Sequence, residues 1–256
     1  MSLQLQTAEA PLSARLRPAY AARLASGPAD VAAAQALRFG VFNLELDEGL
    51  PESYGTGLDA DPFDAVCDHL IVEDAQSGSV VGTYRMQTGA RALSGLGYYS
   101  EQEFDFSPFE RRRGEILELG RACVHKRHRN FSVLNLLWKG IAAYAQERGT
   151  RYLMGCSSLT SQDASLGAAA YRRLLPDLAP QAWQTLPQRR WACALDDGPA
   201  ARPEIPRLLS AYLALGAAIC GPPAIDRTFG TIDFLTWLDI ESPDLVALRR
   251  RGRFLA

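Results

Sequence analysis

Residues Glu115 to Gly149 read EILELGRACVHKRHRNFSVLNLLWKGIAAYAQERG. The stretch opens with a short apolar run, Ile116 to Val124, broken only by Glu118 and Arg121. That length and bounding predict a buried strand. A basic loop follows, Lys126-Arg127-His128-Arg129-Asn130, with Ser132 as a candidate N-cap. Val133, Leu134, Leu137, Trp138, Ile141, Tyr144 and Ala145 then form a helical stripe that Gly149 can close as the C′ residue. The unit is strand, basic turn, helix. A helix N-terminus carries free N–H groups and positive partial charge and readily holds a phosphate. An acid and an arginine inside an apolar strand are costly unless paired or used. The stretch therefore reads as a cradle for a phosphate-bearing arm beside a reactive strand.

Outward from this unit, the chain has 256 residues, 47% of them hydrophobic, enough for one substantial core or a core with an appendage. A net charge of -2 and a pI near 6.0 speak against a general nucleic-acid binder. The basic residues are nonetheless clustered: Arg111 to Arg113, Lys126 to Arg129, Arg172-Arg173, Arg189-Arg190 and Arg249 to Arg251. Each run suits a solvated face; several on one face would suit an acidic protein partner. The five cysteines form no C-x-x-C pair and are expected as buried free thiols of a reducing cytosol. The three histidines have no metal spacing, so no metal is expected. Met1 to Ser26 lacks the apolar core of a signal peptide. The most apolar run, Leu208 to Cys220, is too short to span a bilayer and reads as a buried helix, with a membrane-surface helix as the alternative.

Residues 1–18 are weakly patterned and expected to be loose. Tyr20 to Leu24 predicts a first strand, and Pro28-Ala29-Asp30 a helix start with Asp30 as N-cap, the helix reaching about Leu46. Arg38, Phe42 and Glu45 share one face of it. Residues 47–66, rich in Gly, Pro and Asp, predict a functional or mobile loop whose Asp59, Asp61 and Asp64 either bind a cation or are simply solvated. Strands over 67–74 and 80–87 form a hairpin, with Arg85 the odd polar residue in the second. In the connection 88–114, Phe104, Phe106 and Phe109 are expected to cap the core. YLMGCSS (152–158) predicts a strand ending in serines, and Asp163 caps a helix carrying Tyr171. A strand near Trp191 to Ala194, a helix over Pro206 to Cys220 and a late strand over 230–240 complete the order. The class is mixed α/β (α+β), without the regular alternation of a doubly wound sheet.

Three features in order resemble one family: QALRFGVFNLEL with Arg38 and Phe42; DADPFD leading into CDHLIV and VGTYRM; and ILELGRACV with its Glu118-x-x-Arg121 pair. Together they resemble the GNAT superfamily of N-acyltransferases, in the branch of ornithine N-acyltransferases of ornithine-lipid synthesis and the related acyl-homoserine-lactone synthases. The helix LWKGIAAYA and the later FGTIDFL favour the ornithine branch. The resemblance implies one domain over residues 1–256, with 176–256 as a C-terminal extension. It implies a seven-stranded mixed sheet, flanked by helices and splayed between the ILELGRACV and YLMGCSS strands, with an acyl-phosphopantetheine arm in the opening. It implies transfer of a (3-hydroxy)fatty acyl group from a thioester to the α-amine of an amino acid, foremost L-ornithine. It carries no tightly bound cofactor, a cytoplasmic location and a peripheral membrane contact as an option. The rival readings are an acyl-homoserine-lactone-type signal synthase and a non-catalytic acyl-binding module.

The site the resemblance implies comprises Arg38, Phe42, Asp61, Asp64, Arg85, Glu118 and Arg121. An ammonium has no lone pair, so a base must free the amine and a donor must hold the oxyanion. Glu118 is the candidate base, or else a structural partner of Arg121 or Arg85. Arg38 and Arg121 either clamp a substrate carboxylate or order the acidic loop. Asp61 and Asp64 are candidates for a side-chain ammonium, Tyr171 for protonating the leaving thiolate or as a packed aromatic, and Ser157 for the arm's amides. Arg127, Arg129, Ser132 and Val133 are the candidates for the carrier and its arm. Coenzyme A users of the superfamily carry R-x-x-G-x-G/A before the helix, where this chain has Ser132 and Leu134 in place of both glycines. Acyl carrier protein, acidic and single-phosphate, is therefore the expected donor. Successive strand side chains alternate faces, so a site shared by Glu118 and Arg121 requires a bulge within Glu118 to Ala122, with Gly120 the residue type that tolerates one.

Overall fold

The computed structural model describes residues 18–196 and 203–250. The weakly patterned start, 1–17, lies outside them, as do Arg251 and the side chains of Arg249 and Arg250.

β1 (Tyr20–Leu24) leads into α1 (Pro28–Phe42). Gly27, not Asp30, caps that helix; Asp30 instead pairs with Arg23 and accepts from the Ser26 amide. The helix stops at Phe42, short of Leu46, and Asp47 and Gly49 then take positive φ. The segment 47–66 contains the one-turn helix α2 (Ser53–Thr56) and a 3-10 turn over Pro62–Ala65 capped by Asp61. β2 (Asp68–Asp74) and β3 (Val80–Thr88) form the expected hairpin, followed by α3 (Gly89–Ser94). Phe104, Phe106 and Phe109 are buried as expected.

β4 (Ile116–Val124) and α4 (Phe131–Arg148) form the strand–turn–helix unit. Asn130 rather than Ser132 is the N-cap, its side chain accepting from the Val133 amide, while Gly149 closes the helix at φ 64°. β5 (Tyr152–Leu159) and α5 (Ala164–Leu174), capped by Asp163, follow. The expected helix over 206–220 is shorter: α6 (Arg207–Ala214) ends at Gly216, whose φ is +90°, and β6 (Ala218–Ile219) follows. Near Trp191 there is only an isolated bridge, Ala192 to Ala224. β7 (Ala224–Asp226), β8 (Thr231–Asp239) and α7 (Pro243–Arg250) end the described chain.

The mixed sheet has eight strands rather than seven, in the order β1-β2-β3-β4-β5-β8-β6 with β7 also on β8. Only β4 and β5 run parallel; every other pair is antiparallel. Tyr84 and Met86 of β3 join the cluster of Val133, Leu137 and Ile141 from α4, while Arg85 between them bonds toward the α1 side. Alternation thus sets the two helices on opposite faces. The described part of the 176–256 segment joins the sheet through β8, which pairs along all of β5.

β4 and β5 pair only at Ile116–Tyr152, Leu117–Leu153 and Glu118–Met154. Gly155 marks the parting: a Cβ there would stand 2.1 Å from the Leu119 carbonyl oxygen. Only glycine admits that approach, after which the strands diverge.

Candidate active site

The opening between β4 and β5 is a cavity of about 940 Å³. One wall is apolar, made by Leu137, Trp138 and Ile141 of α4, Leu209 and Tyr212 of α6, and Leu245 of α7. The other end is polar and holds Glu118, Arg85, Arg121, Glu103, Asp226 and Asp233. One molecule carrying a long hydrocarbon and a charged head matches that division.

The required bulge is present. Gly120 pairs with Arg85 and Cys123 with Thr83, so Arg121 and Ala122 together face Tyr84. Arg121, not Gly120, takes the left-handed conformation, at φ 50°. That backbone costs about 1 kcal/mol for a residue with a Cβ. Its side chain offsets the cost: Nη2 donates to Asp61 at 3.0 Å, Nε lies 3.3 Å from Asp59, and the guanidinium stacks 4.4 Å from the Phe229 ring centre. The bulge brings Glu118 and Arg121 to the same cavity.

Glu118 is buried, yet neither arginine bonds it. Its carboxylate accepts from the Tyr99 amide (2.8 Å), the Ser100 amide (2.8 Å) and the Ser100 hydroxyl (2.6 Å). Burial pushes its pKa up, and these three donors draw it back toward the ionised form. A carboxylate has about four lone-pair positions, so one is left for a substrate N–H or a water.

The acidic loop is tied down from three elements. Arg38 of α1, wholly buried, donates to Asp59 (2.8 Å) and bidentately to Asp64 (2.9 and 2.7 Å). Arg85 of β3 donates to Asp61 at 2.6 Å and Asp64 at 3.2 Å. Arg121 of β4 completes the three-on-three network. Asp61 and Asp64 also cap the Pro62–Ala65 turn reciprocally. Burial opposes both charges, but the arginines win and hold Asp61 and Asp64 below the usual carboxylate range. Arg38, Asp61 and Asp64 therefore do not line the cavity. Their charges are spent on one another, which corrects the expectation of a mobile loop offering two carboxylates to a substrate ammonium.

Phe42 lines the cavity and meets Phe229 edge-on at 5.4 Å. Ser157 lines it with its hydroxyl 3.2 Å from that of Thr236. Tyr171 does not reach it. α5 carries that ring to a separate pocket of about 300 Å³ beside Thr185 and Pro222, which removes it as a proton donor to a leaving group in the main cavity. Val133 is also displaced: its side chain is in the core and its amide is taken by the Asn130 cap. Ser132 and Arg127 are exposed at the α4 N-terminus, and Arg129 lines the cavity mouth while bonding Glu45 at 2.6 Å.

Sequence reasoning missed the carboxylates of Glu48, Glu103, Asp226 and Asp233 on the cavity wall. Asp233 carried a signal, since it is an acid inside an otherwise apolar part of its strand, as Glu118 is in β4. Glu103 follows a 3-10 turn and Asp226 ends the three-residue β7, segments too short for a periodicity to betray them.

The fold and this site define an acyltransferase of the GNAT class, and the family model described as "Acetyltransferase (GNAT) domain" matches residues 37–139. AHL synthase LasI superposes with a TM-score of 0.53 at 12% identity, covering 90% of this chain and 94% of that one. FeeM, an N-acyl amino acid synthase from uncultured soil microbes, gives 0.53 at 14% identity over 86% of this chain and 91% of its own. The chain is 34% identical to the L-ornithine N(alpha)-acyltransferase of Brucella abortus (strain 2308), over 86% of this chain and 84% of that one. It is 32% identical to the enzyme of that name from Rhodobacter capsulatus, over 92% and 93%. The chain belongs to the L-ornithine N(alpha)-acyltransferase family. Among the described residues, no helix is long and apolar enough to cross a membrane.

Proposed function

We propose that this chain transfers a fatty acyl group from the phosphopantetheine thioester of acyl carrier protein to the α-amine of L-ornithine. The carrying observation is the cavity in the β4–β5 opening, with Glu118 at its polar end and an apolar wall along α4 and α6. The ornithine acceptor is supported by the names of relatives that match most of the chain. Past Glu118, β4 has no strand on its β5 side, which leaves main-chain groups there for the amides of a pantetheine arm. Glu118, directly or through a water, takes the proton from the ammonium. The freed amine attacks the thioester carbonyl, the C–N bond forms, a main-chain N–H of β4 holds the oxyanion, and the C–S bond breaks as the attacking nitrogen's surplus proton passes to the sulfur, releasing the amide and the thiol. The donor choice is supported by exposed Lys126, Arg127 and Arg129 around the α4 N-terminus, where the Phe131 side chain stands in the way of a close pyrophosphate.

The test is Glu118→Gln, with product followed by mass spectrometry. It is expected to lower kcat by about a hundredfold or more, with KM for the acyl carrier substrate little changed and the melting temperature near wild type. A folded variant with full kcat would remove Glu118 as the base.

A further inference from the structure

The cavity is lined by more buried carboxyl groups than arginines. Five carboxylates line it: Glu48, Glu103, Glu118, Asp226 and Asp233. Its two buried arginines, Arg85 and Arg121, are already engaged by Asp59, Asp61 and Asp64. Three of the five, Glu103, Asp226 and Asp233, are buried and present carboxylate oxygens within 4.8 Å of one another. They converge from the segment after α3, the end of β7 and the first half of β8.

Asp226 and Asp233 are held by hydrogen bonds, and Asp233 is incompletely satisfied. Asp226 Oδ1 accepts from the Thr228 and Phe229 amides at 2.8 Å each. Asp233 Oδ2 accepts from the Thr231 hydroxyl at 2.9 Å, but Oδ1, buried on the cavity wall, has no donor. Burial above all, with mutual repulsion, pushes Asp233 up to about 6 against the pull of the Ser158 and Thr231 hydroxyls and of Arg121, and raises Glu103 as well. An orphaned buried carboxylate oxygen among like charges is costly unless a cation arrives.

Building on the ornithine reading above, we propose that Glu103, Asp226 and Asp233 form the subsite for the acceptor's side-chain ammonium, and so select a dibasic amino acid over a neutral one. An ammonium has three N–H donors, matching three converging carboxylates. The subsite also stands near the base. Glu118 bonds the Ser100 hydroxyl, which is 3.5 Å from Cys156 Sγ, and that sulfur is 3.8 Å from Glu103 Oε2. An acceptor with its α-amine at Glu118 thus directs a short side chain toward the three acids.

The experiment compares ornithine with norvaline, which has the same carbon chain without the δ-amine, and with citrulline, whose side chain is uncharged. Wild-type enzyme is expected to favour ornithine in kcat/KM by about a hundredfold or more, since a site built to pair a polar group strongly rejects analogues lacking it. Asp233→Asn, and Glu103→Gln as a second variant, should raise KM for ornithine and shrink that preference by about tenfold or more. In a thermal-shift assay without donor, ornithine should stabilise wild type and norvaline should not, so one arm needs no variant and no turnover. Equal use of norvaline or citrulline by wild type, or equal fractional losses on all acceptors in the variants, would overturn the subsite. Stabilisation of wild type by Ca²⁺ or Mg²⁺, lost in Asp233→Asn, with ornithine turnover abolished by EDTA, would overturn it in favour of a metal. No turnover of ornithine by wild type would instead sink the underlying function.

Discussion

Arg38 decides between two roles for the arginines of this site, ordering the loop or clamping a substrate carboxylate. Its side chain is 0% exposed and its guanidinium holds both Asp59 and Asp64, the first also through the main-chain carbonyl. Replacing it by Met keeps the bulk but leaves two buried carboxylates short of their partner. Asp64 retains Arg85 at 3.2 Å and the Gln35 amide at 2.9 Å; Asp59 keeps only the offset Arg121 contact at 3.3 Å. Breaking a buried ion pair from one side costs about 3–5 kcal/mol. For a chain of this size, each kcal/mol lowers the melting temperature by about 2–4 °C. Arg38→Met should therefore melt roughly 6–20 °C below wild type. Adding Asp59→Asn removes the stranded charge and should return about 0.5–3 kcal/mol, the usual range of coupling between contacting residues. Arg38→Lys should also destabilise, because one ammonium cannot reproduce a fork across two carboxylates. Chemical denaturation followed by circular dichroism reads all three. An Arg38→Met protein with wild-type stability and a raised KM for ornithine would refute this reasoning and restore the substrate clamp.

Gly155→Ala would drive a Cβ into the Leu119 carbonyl, a backbone atom that cannot swing aside, and should cost about 1–3 kcal/mol or more while lowering kcat/KM for the acyl carrier substrate. A neutral effect on both would mean that the strands do not part there. Burial pushes Glu48 up to about 7 from 4.5, so the folded chain keeps a proton that the unfolded chain releases between those values. Stability from this group is thus full below about pH 4.5 and lost as pH rises to about 7, a fall of up to roughly 3 kcal/mol that Glu48→Gln should remove from the pH profile; parallel profiles for the two proteins would sink it. Arg127→Glu with Arg129→Glu should lower kcat/KM for acyl carrier protein by about tenfold or more and weaken its salt dependence, while a short acyl-pantetheine donor is nearly indifferent. Equal rates with acyl-CoA and acyl carrier protein at matched chain length would defeat the donor assignment.

The strand–turn–helix unit was legible because each part carries a local signal: an apolar run of strand length, a stripe at helical spacing and a glycine at the C′ position. The bulge was legible for a different reason. Glu118 and Arg121 are an odd number of residues apart, so a shared site demanded an irregularity. Which residue would bend was not legible, because Arg121 carries the strained backbone through ion pairs to Asp59 and Asp61 about sixty positions away. The acidic loop misled for the same reason. Three aspartates among glycines and prolines look solvated until Arg38, Arg85 and Arg121 arrive from three separate elements. Tyr171 has a helical position that suits a proton donor, yet the direction in which α5 leaves β5 sends its ring elsewhere.

The two charge groups at this site follow from where the chain runs. Asp59, Asp61 and Asp64 lie close together on one segment, so three arginines on one side of the sheet can neutralise them, and a neutral, buried network makes a rigid wall. Glu103, Asp226 and Asp233 come from three distant segments, and Arg121, whose charge acts on Glu103 and Asp233, is already paired with Asp59 and Asp61. A structural role would favour a matching arginine or lysine, because a lone buried carboxylate is among the more destabilising features a fold can carry. Their persistence without one is understandable if the missing charge arrives with the substrate. Ornithine supplies two ammonium groups, one to be deprotonated beside Glu118 and one to remain charged. Binding would then convert a repulsive cluster into a satisfied one. The same binding would orient the α-amine for attack, because the side chain fixes the far end of a short molecule whose near end must reach the thioester carbonyl.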